Sequence, residues 1–318
     1  MNQPLQLEQT SQKSERRWDP LKPQRRLAYL FLSPWFLGFV LLNLYPIVSS
    51  FYFSFMRHNL VKPPKYVGLK HYMKILSPDK TFIRSVNNSL YLLFVGVTIQ
   101  LAFSIFCAVL LHQRVRGRGF YRTAWYLPTL VSPAAASLVW LWLLNPEYGL
   151  VNAFLRFFGL PQPLWLLSAE WSKPAIILMG LWTAGTTIIV YLSGMGEIPR
   201  DYYESMDLDG ANSWTQFWHI TWPMLSGLTL FQIINGVIAS FNAFTATYII
   251  AMANRKASGS LGGYKDSLLF YAVNIYNNAF NKLHFGYASA LAVLMFVFVL
   301  LITLILFKTT RKWVNYDA

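Results

Sequence analysis

The sequence predicts an all-α protein that crosses a membrane several times, and three observations lead there. Of 318 residues, 55% are hydrophobic, more than an ordinary soluble globule carries. Several stretches of about 20 residues or more run without a charge, the length that crosses roughly 30 Å of hydrocarbon. Lysine and arginine gather beside these stretches rather than inside them.

Six spans are expected, at about 27–55, 86–111, 124–144, 174–195, 223–253 and 285–307. The first does not read as the apolar core of a cleaved leader, because about 26 polar residues precede it and the run is too long. The expected organisation is a polar, Pro-broken and poorly ordered tail over 1–26, a membrane domain over 27–312 and a short tail over 313–318.

Orientation follows the basic residues near the span ends. The connection between the second and third spans, "QRVRGRGFYR", holds Arg114, Arg116, Arg118 and Arg122. With six spans it shares a side with both tails and with the 197–225 loop, so that side is expected to be cytoplasmic and the protein multi-pass. The opposite loops also carry Lys and Arg, but over about 30 residues each. The formal charge of +14, from 27 basic against 13 acidic residues, is therefore a topology signal. No zinc-finger spacing or RNA-binding motif accompanies it, so no nucleic-acid partner is expected.

Catalytic chemistry is missing from the pattern. The span interiors hold no Asp, Glu, Lys or Arg, the residues that proton- or ion-coupled transporters place at membrane depth. His58, His71, His112, His219 and His284 are scattered, with no i, i+4 pair and no completing carboxylate, so no metal site is expected. Cys107 is a lone cysteine inside the second span, a small apolar packer that can form no internal disulfide. There is no phosphate-binding G-x-x-x-x-G-K-[ST] loop and no nucleophile elbow. The chain reads as a non-enzyme without a cofactor of its own: either passive, or driven by something attached to it.

The stretch from Glu197 to Leu225 is where attachment is expected. Glu197, Asp201, Glu204, Asp207 and Asp209 face one basic residue, Arg200, leaving the loop at −4 in a strongly basic chain. Pro199 and the early acids suit a helix start, and Gly210 suits its end. Tyr202, Tyr203 and Met206 fall on one side of that short helix. After the turn, Ser213 and Gln216 stand at capping-box spacing, and Trp214, Phe217, Trp218 and Ile220 lead to Pro223 and the fifth span. An acidic knob suits a basic protein partner better than an anionic membrane surface.

At these residues the loop resembles the EAA motif of the membrane subunits of bacterial ABC importers. Glu204, Asp209, Gly210, Ala211, Phe217, Ile220, Pro223 and Leu225 stand at the motif's spacing, while Ser205 and Met206 replace its two alanines. "SPWFLGFVLLNLYPIVSSFYFSF", "YVGLKHYMKIL", "NPEYGLVNAFLRFFGLP" and "IYNNAFNKLHFGYASALAVLMF" extend the resemblance, over nearly the full length, to the maltose- and glycerol-phosphate-type carbohydrate branch. Between the fifth and sixth spans "ANRKASGSLGGYKDS" departs from that branch's Thr-x-Gly-Gly-Pro turn.

The resemblance implies a permease subunit for a sugar, oligosaccharide or related polyol, delivered by an extracytoplasmic binding protein. It implies a second, different permease chain and two cytoplasmic ATPase subunits, which would hold the ATP and Mg. The short acidic helix would then be a coupling helix. Tyr203 and Met206 are expected as its knob, with Ser205 beside them at the second motif position. Glu204 is expected to make a charge-assisted contact with the ATPase, and Asp209 a cap or salt bridge at the turn. Gly210 and Ala211 would form that turn, and Pro223 a hinge. The alternative is a passive channel or facilitator for a small neutral solute, which has no need of such a loop.

For the solute pathway, the fifth span offers Gln232, Asn235, Ser240, Asn242, Thr245 and Thr247, and the fourth Thr183, Thr186, Thr187 and Tyr191. Uncharged hydrogen-bonding groups beside Phe241, Phe244 and Trp182 suit a polyhydroxylated solute. Asn235, Phe241, Asn242 and Thr245 are the expected lining residues, Asn235 and Asn242 falling seven apart on one helical face.

Overall fold

A computed structural model describes residues 22–59, 61–113, 116–255 and 259–310. Most of the expected N-terminal tail, Arg114 and all of 313–318 lie outside the described residues. The chain divides into two compact units, 1–49 and 50–318, described separately.

Helix α1, Leu27–Ser54, begins in the first unit. Tyr29, Phe31, Trp35, Leu41 and Leu42 are all exposed, an apolar surface suited to lipid rather than water. Proline lacks the N–H that continues an α-helical ladder, and a π turn at Val40–Leu44 stands just ahead of Pro46.

The second unit opens with the end of α1 and a two-residue antiparallel ribbon, β1 Met56–Arg57 against β2 Lys65–Tyr66, with Met56 opposite Tyr66. A short helix follows, α2, Lys70–Leu76. Helix α3, Lys80–His112, is capped by Asp79, whose Oδ1 accepts from the amides of Thr81 (2.9 Å) and Phe82 (3.3 Å).

The expected third and fourth spans are each broken. Helices α4 (Arg118–Leu130) and α5 (Pro133–Leu143) meet at 100°, where Pro133 opens the second helix and Ser132 caps it. After the short α6, Leu150–Phe157, helices α7 (Ser172–Trp182) and α8 (Gly185–Glu197) meet at 51°. At that second break Gly185 lets the backbone of α8 approach the Trp125 carbonyl so closely that a Cβ would collide with it.

Helix α9, Arg200–Leu208, and α10, Ser213–Gln216 continued by Phe217–Thr221 and Trp222–Met224, form the loop segment. They lead into α11, Ser226–Ala253. Helix α12, Tyr271–Tyr276, and α13, Phe285–Thr310, complete the described chain. The described residues thus hold four helices long and apolar enough to cross a membrane, or six if each bent pair counts once.

Three clusters make the core. Ile105, Ala108 and Leu111 of α3 pack on Ile188, Tyr191 and Met195 of α8, with Leu225 at the foot of α11. The second cluster joins Leu144, Ile250, Leu268, Leu269 and Phe270. The third joins Leu93, Val237, Phe241, Tyr271 and Leu291, tying α3, α11, α12 and α13 together.

Candidate functional site

Helix α9 starts directly after Pro199, which stands at the N-cap with extended ψ, and Arg200 opens the first turn. Its end is fixed by backbone geometry. Gly210 adopts φ +77°, Ala211 N–H donates to the Met206 carbonyl at 3.0 Å, and Gly210 N–H donates to Asp207 O at 3.0 Å. This six-to-one and five-to-two pair is a Schellman closure, and it needs a residue at ease in the left-handed region. Asp209 caps the helix through its backbone alone. The expected salt bridge does not form: among the described residues the only ion pair is Arg84–Asp266.

The second helix is capped by Asn212 rather than by the expected Ser213–Gln216 box. Asn212 Oδ1 accepts from the Thr215 amide and hydroxyl, both at 2.9 Å. Gln216 instead reaches back, donating through Nε2 to Asp207 Oδ1 at 2.6 Å. Tyr203 Oη lies 2.9 Å from Thr221 Oγ1. These two bonds clamp α9 against α10.

Tyr203 and Met206, the expected knob, are the half-buried residues of α9, and the Tyr203 hydroxyl is turned toward Thr221 of α10. The projecting apolar residue is Leu208, 90% exposed, with Tyr202 at 52% on the flank. On a 3.6-residue period Leu208 shares its face with Asp201, Glu204 and Ser205. Glu204 is exposed and has no ion pair, and the Ser205 hydroxyl donates back to the Tyr202 carbonyl at 2.9 Å. Sequence reading missed Leu208 because it weighed the aromatic side of the wheel. The spacing of Leu208 from Asp201 and Glu204 was the available signal.

Behind the clamp, Trp214, Phe217, Trp218 and Trp222 form one aromatic cluster with ring centroids 5.2–6.5 Å apart. A π turn over Phe217–Thr221 precedes Pro223, which cannot donate to the preceding turn. Leu225 then plugs the α3–α8 core at 1% exposure. The acidic loop is thus tied to the start of α11 through two side-chain hydrogen bonds, the aromatic cluster and Leu225.

Of the expected pathway residues, Asn235, Asn242 and Thr245 are exposed, and the Asn235 amide donates to Phe231 O at 3.0 Å. Phe231, Asn235, Ile238 and Asn242 make one exposed stripe along α11. Phe241 does not belong with them. It is 1% exposed, packed against Phe298 at 5.1 Å and Tyr271 at 6.0 Å, because it points a quarter-turn away from Asn242 into the core. Tyr191 is likewise fully buried, its hydroxyl 3.4 Å from Thr229 Oγ1. Among the described residues no group of three or more His, Cys, Asp or Glu could hold a metal ion.

Known proteins resemble this chain. Over 92% of its length and 92% of the relative's, the chain is 34% identical to the "Probable ABC transporter permease protein YesP" of Bacillus subtilis. It is 28% identical to the arabinooligosaccharides transport system permease protein AraP of the same organism, over 93% of this chain and 92% of that one. A solved bacterial ABC transporter involved in the import of alginate superposes with a TM-score of 0.75 at 22% identity, covering 92% of this chain and 98% of that one, and shares the fold. Residues 100–314, which include the whole α9–α10 clamp, match the family model described as binding-protein-dependent transport system inner membrane component, and the chain belongs to that family of ABC importer permeases.

Proposed function

We propose that the chain is one of two membrane subunits of an ATP-driven importer for a sugar, oligosaccharide or related polyol. The observation that carries this reading is the projecting acidic helix α9, held by the Tyr203–Thr221 and Asp207–Gln216 bonds to α10, which leads into α11. A passive channel has no use for a rigid lever of this kind. In our reading each bent pair is one span, which gives six, a membrane domain over 27–312 and both tails, 1–26 and 313–318, in the cytoplasm. The 197–225 loop then faces the cytoplasm with α9 as coupling helix.

Each of two ATPase subunits would receive one such helix in a cleft. Leu208 enters as the apolar knob, and Glu204 meets a cation at the cleft rim. Ser205, Met206 and Tyr203 set the helix's seat on α10, while Asp209, Gly210 and Ala211 close the turn. Pro223 marks the hinge into α11. ATP and Mg sit on the ATPases, and an extracytoplasmic binding protein delivers the solute. A second, homologous permease completes the pathway, with Asn235, Asn242 and Thr245 of this chain along it. Their uncharged donors and acceptors suit hydroxyl groups, and relatives are named for oligosaccharide transport.

A thiol crosslink tests the reading. In a Cys107→Ser background, Leu208→Cys should capture a P-loop ATPase in native membranes, with a yield that changes when nucleotide is added. Absence of that product, with solute flux unchanged after deletion of 201–210, would overturn it.

A further inference from the structure

Topology leaves one concentration of positive charge unexplained. Arg118, Arg122 and Arg200 lie within electrostatic reach of His112, at the end of α3 where the acidic loop stands. Positive charge is expected on that side. The other end of α3, 33 residues earlier and about 50 Å away at 1.5 Å per residue, is also rich in cations. There Tyr287 of α13 donates to Asp79 Oδ2 at 3.0 Å, so the start of α13 stands beside the start of α3.

At this end β1, β2, α2 and the first turn of α13 enclose a recess of about 560 Å³. Arg57, Lys62, Lys65, Lys70 and Lys74 line it. None of the five pairs with a carboxylate, since Arg84–Asp266 is the only ion pair among the described residues. The nearby acid, Asp79, is already engaged, accepting from Tyr287 and from the Thr81 and Phe82 amides. Lys74 Nζ stands 5.1 Å from the Tyr287 ring centroid, held at the wall rather than neutralised.

The walls are locked before any ligand arrives. His71 Nε2 donates to the Met56 carbonyl at 3.0 Å, joining α2 to the ribbon. Gly286 N–H donates to the His58 carbonyl at 3.1 Å, and a Cβ at Gly286 would collide with Met56 O. His58 stacks on Phe53 at 5.0 Å and meets the edge of Phe285 at 5.8 Å. A preformed concavity of this size falls in the range of ligand pockets, about 300–1,000 Å³. Its lining holds five cationic side chains and no carboxylate, which suits an oxyanion.

We propose that this recess is a binding site for a phosphate group, presented at the face opposite the acidic loop. The group could come from an anionic lipid headgroup, since the recess adjoins the ends of α1 and α13, or from a soluble phosphoester. The inference goes beyond the permease reading and takes from it only that α3 crosses the bilayer.

Lysine acetylation of the intact complex in nanodiscs, read residue by residue by mass spectrometry, tests it. In phosphatidylcholine discs, inorganic phosphate should slow acetylation of Lys70 and Lys74 several-fold relative to Lys308, which marks a soluble source. In phosphatidylglycerol discs the same protection without added phosphate marks a lipid source. Arg57→Gln with Lys70→Gln should weaken the protection left at Lys65 and Lys74. Equal rates in all conditions, or equal protection by chloride at matched ionic strength, would overturn the site. ATPase capture at Leu208→Cys on the same preparation reports the permease reading independently.

Discussion

The hydroxyls of Tyr203 and Thr221 lie 2.9 Å apart and tie the acidic helix α9 to the aromatic segment that enters α11. The bond crosses the Gly210 turn, joining the helices on its two sides; in the proposed transporter it would pass a push on α9 to the span. Tyr203→Phe keeps the ring and removes one partner, which costs about 1 kcal/mol locally. In the assembled transporter we expect ATP hydrolysis to persist while solute uptake per ATP falls. Equal loss of both, or of neither, in proteoliposomes would show that the bond is not part of the lever.

Leu208 makes a separable prediction. Because it is 90% exposed in this chain, Leu208→Asp should leave the chain's own stability within about 0.5 kcal/mol. It places a carboxylate among Asp201 and Glu204 on the face proposed to enter the ATPase. Co-purification of the ATPase should therefore fall sharply while the melting temperature of the isolated permease stays put. Undiminished co-purification would remove Leu208 from the interface.

Adjacent residues on α11 should part company in the same way. Phe241 is core at 1% exposure, so Phe241→Ala should cost about 3–5 kcal/mol and lower the melting temperature. Asn242 is exposed, so Asn242→Ala should leave melting unchanged and alter the apparent affinity for solute. A stable Phe241→Ala would contradict the α11–α13 packing, and unaltered affinity in Asn242→Ala would take it off the pathway.

These cases also show what was legible in the sequence and what was not. The charge-free runs, Gly210 at the end of α9 and the family of the acidic loop were all readable, because each depends on local chemistry. The 100° bend before Pro133 was signalled by the proline but hidden by the charge-free run across 124–144. Phe241 and Asn242 could not be sorted by composition, since one residue step turns a helical side chain by about 100°. Where Tyr203 and Met206 point is not legible either, because an amphipathic face says that a helix has an inside, without saying whether a partner or the chain itself provides it. The basic recess joins residues 57–74 to 284–287, a pairing that no linear pattern announces.

The recess end of the molecule should loosen in acid, in two stages. Burial lowers the His71 pKa below the ordinary 6.5, partly countered by its bond to Met56 O and reinforced by Arg57, Lys74 and His284. The fold therefore favours the neutral ring; that stabilisation is present above pH 6.5 and is lost as pH falls through the native value. For Asp79, burial alone would raise the carboxyl, but the bonds from Tyr287, Thr81 and Phe82 and the field of Lys74 outweigh it and hold it below 3.8. Its contribution stands above that value and is lost only on stronger acidification. Protection of the Thr81 and Phe82 amides, taken relative to their intrinsic exchange rate at each pH, should therefore fall in two steps as pH is lowered. His71→Gln should remove the upper step and Asp79→Asn the lower, the second variant also weakening the α3 cap by about 1 kcal/mol. A single transition unaffected by His71→Gln would show that the imidazole bond to Met56 does not hold α2 to the ribbon.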